Sequence, residues 1–205
     1  MKQNKRDLIY LKLDTLKDKI VSRDTIINII KSIDSKDYLK RLETLRKSKK
    51  IQYIFLNYYY VLSENERSKN VSKYSSEEKV IAVLNKLKIK WHYTLDTALA
   101  RKKIVWQASK NIIILNNSIS KKTTINKIPF IFIKTQTKYI SDYSTVKTKN
   151  RISTNYPLNE KLFVDYNYFN KKVPIELKNK VKKTTLNTIL QKYPKAFQNK
   201  IKNEL

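Results

Sequence analysis

The 205-residue chain contains no glycine, and this absence constrains its turns more than any other feature of the sequence. Ordinary usage of ~7% would give roughly 14 glycines in a chain of this length. Turns that need a positive φ angle must therefore be made by asparagine, aspartate or lysine, at some cost in strain. Glycine-dependent sites are excluded too, namely the GxGxxG dinucleotide loop, the P-loop and the nucleophile elbow. Either an AT-rich coding bias or deliberate exclusion of glycine would produce this composition.

The chain is also strongly basic, with 45 lysines and arginines against 17 acidic residues, a net charge of +28 and a pI of about 10.0. Such a charge predicts a polyanionic partner. Nucleic acid fits better than a membrane, because no stretch approaches the ~20 apolar residues of a spanning helix. The first ten residues lack the apolar run of a signal peptide, and the absence of cysteine excludes disulfides and thiolate zinc sites. We therefore expect a cytoplasmic protein.

A basic helix is predicted just upstream of a strongly aromatic segment. Leu39, Leu42 and Leu45 recur at three-residue spacing, which predicts a helix over Ser35–Ser48 with one apolar stripe. Asp34 or the following serine can cap its first turn. Lysine, arginine and threonine occupy the other faces, so this helix is expected to combine a buried face with a cationic one.

A short hairpin is predicted directly after this helix. Ile51–Phe55 and Tyr58–Leu62 alternate in polarity around Leu56-Asn57, and asparagine is the non-glycine residue best suited to a positive φ. Two further helices are predicted upstream, over Arg6–Leu16 and, capped by the preceding serine, over Arg23–Lys31. Helix, helix, basic helix, hairpin is the order of a winged helix-turn-helix. A small helix and hairpin with merely solvated lysines would share the local pattern, and the upstream helices favour the winged fold.

The rest of the chain predicts an α+β domain with a small sheet and a helical C-terminus. Residues 63–76 are polar and are expected to link a winged helix-turn-helix at 1–62 to this domain at 77–205. Its predicted elements are a helix at Glu77–Lys88, an extended segment at Trp91–Tyr93, a helix at Leu95–Lys102 capped by Thr94, buried strands at Asn111–Leu115 and Lys127–Lys134, short strands at Tyr139–Tyr143 and Ser144–Ile152, and helices at Asn159–Phe169, Ile175–Val181, Thr184–Tyr193 and Pro194–Asn203.

Three groups of residues are candidates for contact with nucleic acid. The residues expected to face base edges in the major groove are Ser35, Lys36, Lys40, Arg41 and Thr44. The residues expected to touch phosphates or hold the wing are Lys47, Lys49, Lys50, Gln52 and Asn57. A second basic surface is predicted in a region nearly free of acidic residues, and it includes Arg101, Lys102, Lys103, Lys110, Lys121 and Lys122. Arg41 is the favoured guanine reader, because its planar fork matches O6 and N7.

Catalysis is not expected, and neither is a metal or another cofactor. His92 is the only histidine, and a lone histidine in an aromatic strand is more often packed than a ligand. Nothing marks a nucleophile for Ser–His–Asp chemistry, and the predicted strands carry no clustered carboxylates for two-metal chemistry. Tyr58, Tyr59 and Tyr60 could stack on unpaired bases, but packing against the helices is favoured.

The order of these motifs resembles the AbiEi antitoxins, transcriptional regulators of abortive-infection systems. The resemblance covers about Arg6 to Lys200. It is carried by the basic-then-aromatic hairpin at 49–62, the Trp-His-Tyr-Thr strand and Ala-Leu helix at 91–99, Val105-Trp106-Gln107 before a strand, and Pro157, Glu160, Lys161 and Asp165 followed by Tyr166 and Tyr168. The family has glycine in the wing turn and after the Ala-Leu helix, where this chain has Asn57 and Lys103.

This resemblance implies a repressor that binds an inverted repeat in its own promoter, as a monomer in solution or as two copies on DNA. It also implies the antitoxin of a type IV toxin–antitoxin pair in antiviral defence. The antitoxin would counteract a nucleotidyltransferase-like toxin without a stable complex, and the C-terminal domain would contribute to both roles. Two other hypotheses fit the composition, namely a non-specific architectural nucleic-acid-binding protein and a scaffold for an acidic protein partner.

Overall fold

The computed structural model describes residues 4–202. The chain divides between Val83 and Leu84 into two compact units, which cover 4–83 and 84–202 in the described range. Both units combine helices with small sheets, and the described chain ends in helices. The expected α+β class is therefore confirmed. The boundary between the units falls inside a helix rather than in the polar segment 63–76.

The first unit interleaves five helices with one three-stranded sheet in its described residues. Its elements are α1 (Lys5–Asp14), β1 (Ile20–Ser22), α2 (Arg23–Lys31), α3 (Tyr38–Lys47), β2 (Ile51–Tyr53), β3 (Tyr58–Val61), α4 (Glu64–Lys69) and α5 (Ser76–Lys86). The antiparallel sheet has the order β1-β3-β2. The predicted hairpin is confirmed, and so is α2, whose Ser22 side chain accepts a hydrogen bond from the Thr25 amide. β1 was not predicted, because three residues are too few to show alternation.

The central strand β3 has both faces covered. Tyr59 packs into the apolar cluster of α1, α2 and α3, together with Leu42 and Leu45. Tyr60 lies on the opposite face by strand alternation, and its hydroxyl donates to Glu66 Oε1 at 2.5 Å. The prediction that these two tyrosines pack is thus confirmed. Leu39, expected on the same apolar stripe, is instead 55% exposed, because α3 turns it away from this cluster.

The segment expected to be an irregular linker contains α4. Ser63 and Glu66 form a capping box in which the Ser63 side chain accepts from the Glu66 amide and the Glu66 carboxylate accepts from the Ser63 amide. The same carboxylate accepts from the Lys73 amide at 2.7 Å. Six residues without an apolar stripe gave no periodic signal, so only the Ser-x-x-Glu spacing could have revealed this helix.

The second unit contains a four-stranded sheet, a separate hairpin and mostly C-terminal helices. Its elements after α5 are β4 (Trp91–Tyr93), α6 (Leu95–Arg101), β5 (Ile112–Asn116), β6 (Lys121–Ile125), β7 (Ile128–Lys134), a 3₁₀ turn (Thr137–Tyr139), β8 (Tyr143–Lys147), β9 (Ser153–Pro157), α7 (Asn159–Tyr168), α8 (Ile175–Lys178), α9 (Lys183–Leu190) and α10 (Lys195–Lys202). The sheet order is β4-β5-β7-β6, with β5 and β7 parallel, while β8 pairs only with β9.

Two strand predictions in this unit need correction. The polar strand β6 was missed, because it is ordered by pairing with β7 across a turn at Asn126-Lys127 rather than by apolar alternation. The predicted strands at 139–152 shift to Tyr143–Lys147 and Ser153–Pro157. Pro129 is the second residue of β7, as expected for a strand start, although β7 itself lies inside the sheet.

The final predicted helix is present as Lys195–Lys202, and Asn203 lies outside the described residues.

Left-handed backbone conformations replace glycine throughout. Positive φ angles within residues 4–202 occur at Lys49, Leu56, Asn57, Asn70, Lys88, Leu95, Lys103, Asn126, Lys127, Asp142, Arg151 and Asn170. Most are asparagine, aspartate or lysine, as expected, whereas Leu56, Leu95 and Arg151 extend that set. Several follow a helix directly. For example, Lys103 donates to Ala100 O while Ile104 donates to Leu99 O, which is the Schellman pattern with lysine in the usual glycine position.

Candidate nucleic-acid interface

Helix α3 begins at Tyr38, three residues later than predicted, so Ser35 and Lys36 lie in the bend before it. Asp34 does not cap the helix. Its buried carboxylate instead accepts from Arg41 Nε at 2.9 Å and from Lys5 Nζ at 3.4 Å. The hydrogen bond from Arg41 holds the pKa of Asp34 below its usual value. Asp34, which was expected to cap α3, therefore orients Arg41 in the second turn of that helix.

The predicted base-facing residues differ in how exposed their side chains are and in whether those side chains already have hydrogen-bond partners. Ser35, Lys36 and Lys40 are exposed. Arg41 is 34% exposed, and only its Nε has a partner within residues 4–202, which leaves both terminal nitrogens open. Thr44 is half-buried and its hydroxyl donates to the Lys40 carbonyl. The five residues thus run from the bend before α3 to the seventh residue of that helix, and only Lys40, Arg41 and Thr44 lie on the helix itself.

The predicted phosphate and wing contacts are only partly available. Lys47, Lys49 and Asn57 are exposed. Lys50 is fully buried, and its Nζ donates to Asp14 Oδ1 at 2.6 Å and lies 5.2 Å from the centre of the Tyr10 ring. Lys50 is therefore buried away from any phosphate, and of its two predicted roles only that of holding the wing remains. The left-handed turn at Lys49 points the next residue inward, since the Lys50 amide bonds back to Leu45 O.

Gln52 is oriented by the first unit itself. Its Oε1 accepts from Lys79 Nζ at 2.7 Å. Lys79 is buried, lies 4.4 Å from the centre of the Tyr60 ring, and has its pKa lowered to about 8 by burial. Lys79 on α5 thus contacts the hairpin through Gln52 and Tyr60. Nothing in its local sequence pattern indicated that role.

The second predicted basic surface is largely exposed. Arg101, Lys103, Lys110, Lys121 and Lys122 all present exposed side chains. Lys102 does not belong with them, because it is half-buried, donates to the Pro157 carbonyl at 2.8 Å, and has its pKa lowered by burial. Arg101 and Lys103 lie at the C-terminal end of α6, while Lys121 and Lys122 begin the edge strand β6.

The second unit also contains a buried polar cluster that was not predicted from the residue pattern. Lys161 and Asp165 form an ion pair on α7, and Thr94 donates to Asp165 Oδ2 at 2.8 Å. Burial lowers the pKa of His92 to about 4, and its Nδ1 lies 2.6 Å from the Tyr93 carbonyl, so Nδ1 carries the proton. Two of the segments behind the AbiEi resemblance therefore meet here. The cluster is closed to solvent, which makes it a packing feature rather than an open site.

Residues 4–202 contain no cluster of three or more histidine, aspartate or glutamate side chains able to hold an ion. Over the same range, no helix combines the length and apolar character needed to cross a membrane. The chain matches no protein-family model and no curated protein.

Proposed function

We propose that this chain is a sequence-specific, double-stranded DNA-binding repressor whose first unit is a winged helix-turn-helix. The observation that carries the proposal is the order α1-β1-α2-α3-β2-β3 with the sheet order β1-β3-β2. In this order an exposed basic helix comes immediately before a two-stranded hairpin, and this supports the proposal because winged domains place such a helix in the major groove.

Charge supports the same surface. Lys36, Lys40, Lys47 and Lys49 are exposed in and around α3. Glu43, the one acidic residue within α3, is paired with Arg46 at 3.2 Å. The turn residues at the tip of the hairpin are also exposed. Lysines at these positions neutralise phosphates, and each neutralised phosphate steepens the salt dependence of binding.

Arg41 is the proposed reader of guanine, and Asp34 is the residue that positions it. Asp34 bonds only to Nε of Arg41, so within residues 4–202 both terminal nitrogens of Arg41 remain open. A guanidinium oriented in this way loses less side-chain freedom when it bonds to O6 and N7 of guanine. An Asp34→Asn variant should therefore keep phosphate affinity while weakening base discrimination.

The resemblance to the AbiEi antitoxins extends the proposal to a cellular role. We infer that two copies bind an inverted repeat upstream of their own gene and that the protein neutralises a nucleotidyltransferase-like toxin encoded beside it. Co-expression with that neighbouring gene tests the second part. Restored growth is expected, and failure to rescue would remove the antitoxin role without affecting the DNA-binding role.

A mobility-shift assay tests the DNA-binding role directly. The chain is titrated onto its own upstream DNA and onto scrambled DNA of equal length, at two salt concentrations. A strong preference that persists at the higher salt is expected for a repressor. Equal binding that collapses with salt would instead favour the non-specific architectural protein, because phosphate contacts alone carry no sequence information.

A further inference from the structure

Trp106 is 93% exposed, the highest exposure of any large apolar side chain in the described chain. The only other tryptophan, Trp91, is 1% exposed in the core of the same unit. An indole gains a great deal by leaving water, so a fully exposed one is available to a molecule that can cover it.

The loop that displays Trp106 is fixed at both ends. At its start, the left-handed Lys103 closes helix α6 through the Schellman hydrogen bonds. At its end, Ser109 Oγ and Thr97 Oγ1 both donate to the Asn111 carbonyl, at 2.5 Å and 2.8 Å. The Ile113 amide in turn donates to the same Thr97 oxygen at 2.8 Å. The loop that carries the exposed indole is therefore fixed by hydrogen bonds at both of its ends.

The indole has cations beside it. Arg101 and Ser109 line one cleft next to Trp106, and Lys103 lines a second one together with the carboxylate of Glu176. Both clefts also carry apolar side chains, among them Ala100. Lys110 is exposed four residues further along the chain. An exposed aromatic ring between cations is the arrangement that binds a base by stacking and its phosphates by charge.

We propose that Trp106 and the flanking Arg101 and Lys103 form a binding site for single-stranded nucleic acid, with an unpaired base stacked on the indole. An unpaired base is required because the faces of paired bases are hidden inside a duplex. The site is thus distinct from the double-stranded DNA surface of the first unit and does not depend on it. Ser109, which lines the adjoining cleft and is half-buried, donates its hydroxyl hydrogen to the Asn111 carbonyl, so its oxygen can accept from an N–H at the edge of the stacked base.

The proposal is tested by the emission of the two tryptophans. Twelve-nucleotide oligo(dT) and oligo(U) are titrated onto the full chain, with a twelve-base-pair duplex and poly-glutamate as controls. Stacking on Trp106 should quench the exposed, red-shifted part of the emission and leave the Trp91 part unchanged. Preference for oligo(U) or oligo(dT) identifies RNA or single-stranded DNA as the source of the base. Equal quenching by the duplex or by poly-glutamate would overturn the proposal.

Variants separate stacking from charge. Trp106→Ala should weaken oligonucleotide binding by roughly 5- to 150-fold, and Trp106→Phe should restore part of it. Lys103→Gly keeps the left-handed turn and should lower the salt slope by about 0.7. Lys127→Gly, at another exposed left-handed lysine, is the matched control and should leave the slope unchanged. Unaltered binding by Trp106→Ala, with an unaltered melting curve, would refute the site, whereas binding to the upstream duplex reports separately on the first unit.

Discussion

Replacing Lys88 by glycine should stabilise the protein, which is unusual for a change that adds glycine to a folded chain. Lys88 follows helix α5 with a φ of 53°. Its amide bonds to Asn85 O and the next amide bonds to Leu84 O, so the backbone is committed to this shape. The side chain is exposed and has no hydrogen bond or ion pair within residues 4–202. The substitution therefore changes the backbone preference and little else.

The magnitude follows from two opposing contributions. A left-handed conformation costs an ordinary L-residue roughly 1–2 kcal/mol, and glycine removes that cost. Glycine also gives the unfolded chain more freedom, which lowers stability by about 0.4–1 kcal/mol. The free energy of unfolding should thus rise by about 0.5–1 kcal/mol. Lys90→Gly is the matched control, because it removes the same charge two residues away at an exposed position without a positive φ, and only the second contribution applies.

Urea unfolding followed by the emission of buried Trp91 measures both variants in the unit that contains them. Lys88→Gly should unfold at higher urea than the parent, and Lys90→Gly at lower urea, with unchanged slopes in both cases. The two variants should differ by roughly 1–2 kcal/mol, which is the left-handed cost itself. If Lys88→Gly is no more stable than Lys90→Gly, the backbone at this position is not strained and the reasoning fails.

Three other predictions concern buried and exposed charge. Because His92 has a pKa of about 4 in the folded chain against 6.5 ordinarily, only the unfolded chain takes up a proton as the pH falls below 6.5. The free energy of unfolding should fall by about 2 kcal/mol between pH 7.5 and pH 5. In urea unfolding measured at a series of pH values, His92→Phe should remove this fall. If the variant keeps the same pH dependence, another group is responsible. Arg41→Ala should cost ~1–3 kcal/mol of operator affinity, concentrated at one base position in a binding-site scan, and a loss spread evenly over all sequences would exclude a reading role. Lys49→Ala should weaken binding to every sequence and lower the salt slope by about 1, whereas Lys50→Met should leave that slope unchanged because Lys50 is buried against Asp14; a lower slope for Lys50→Met would contradict its assignment to the core.

Elements with a strong local signal could be predicted from the sequence. Helix α2 was found at its exact limits because Ser22 is a good cap and its isoleucines repeat at helical spacing. Strand β5 was found within one residue from its continuous apolar run. Both signals lie within the element itself, so no knowledge of the rest of the fold was needed.

Elements defined by distant partners could not be found in this way. Strands β1 and β6 exist because β3 and β7 pair with them, and their own residues show little alternation. The late start of α3 has the same origin, since Asp34 has its carboxylate engaged by Arg41 and Lys5 instead of the helix amides. Among the candidate site residues, Lys50 was misplaced because a left-handed turn, invisible in a residue pattern, points it inward.

Helix α7 has a consequence for how this chain can vary. Its residues from Glu160 to Asn167 are all buried, including a lysine, an aspartate and a glutamate. In α2, by contrast, only Ile26 and Ile30 are buried. A saturation-mutagenesis map should therefore show tolerated positions every turn along α2 but an unbroken block of intolerance along α7. If mutation pushes the coding sequence toward lysine and asparagine codons, selection must reject such changes at every position from Glu160 to Asn167 except Lys161 and Asn167, which already are lysine and asparagine.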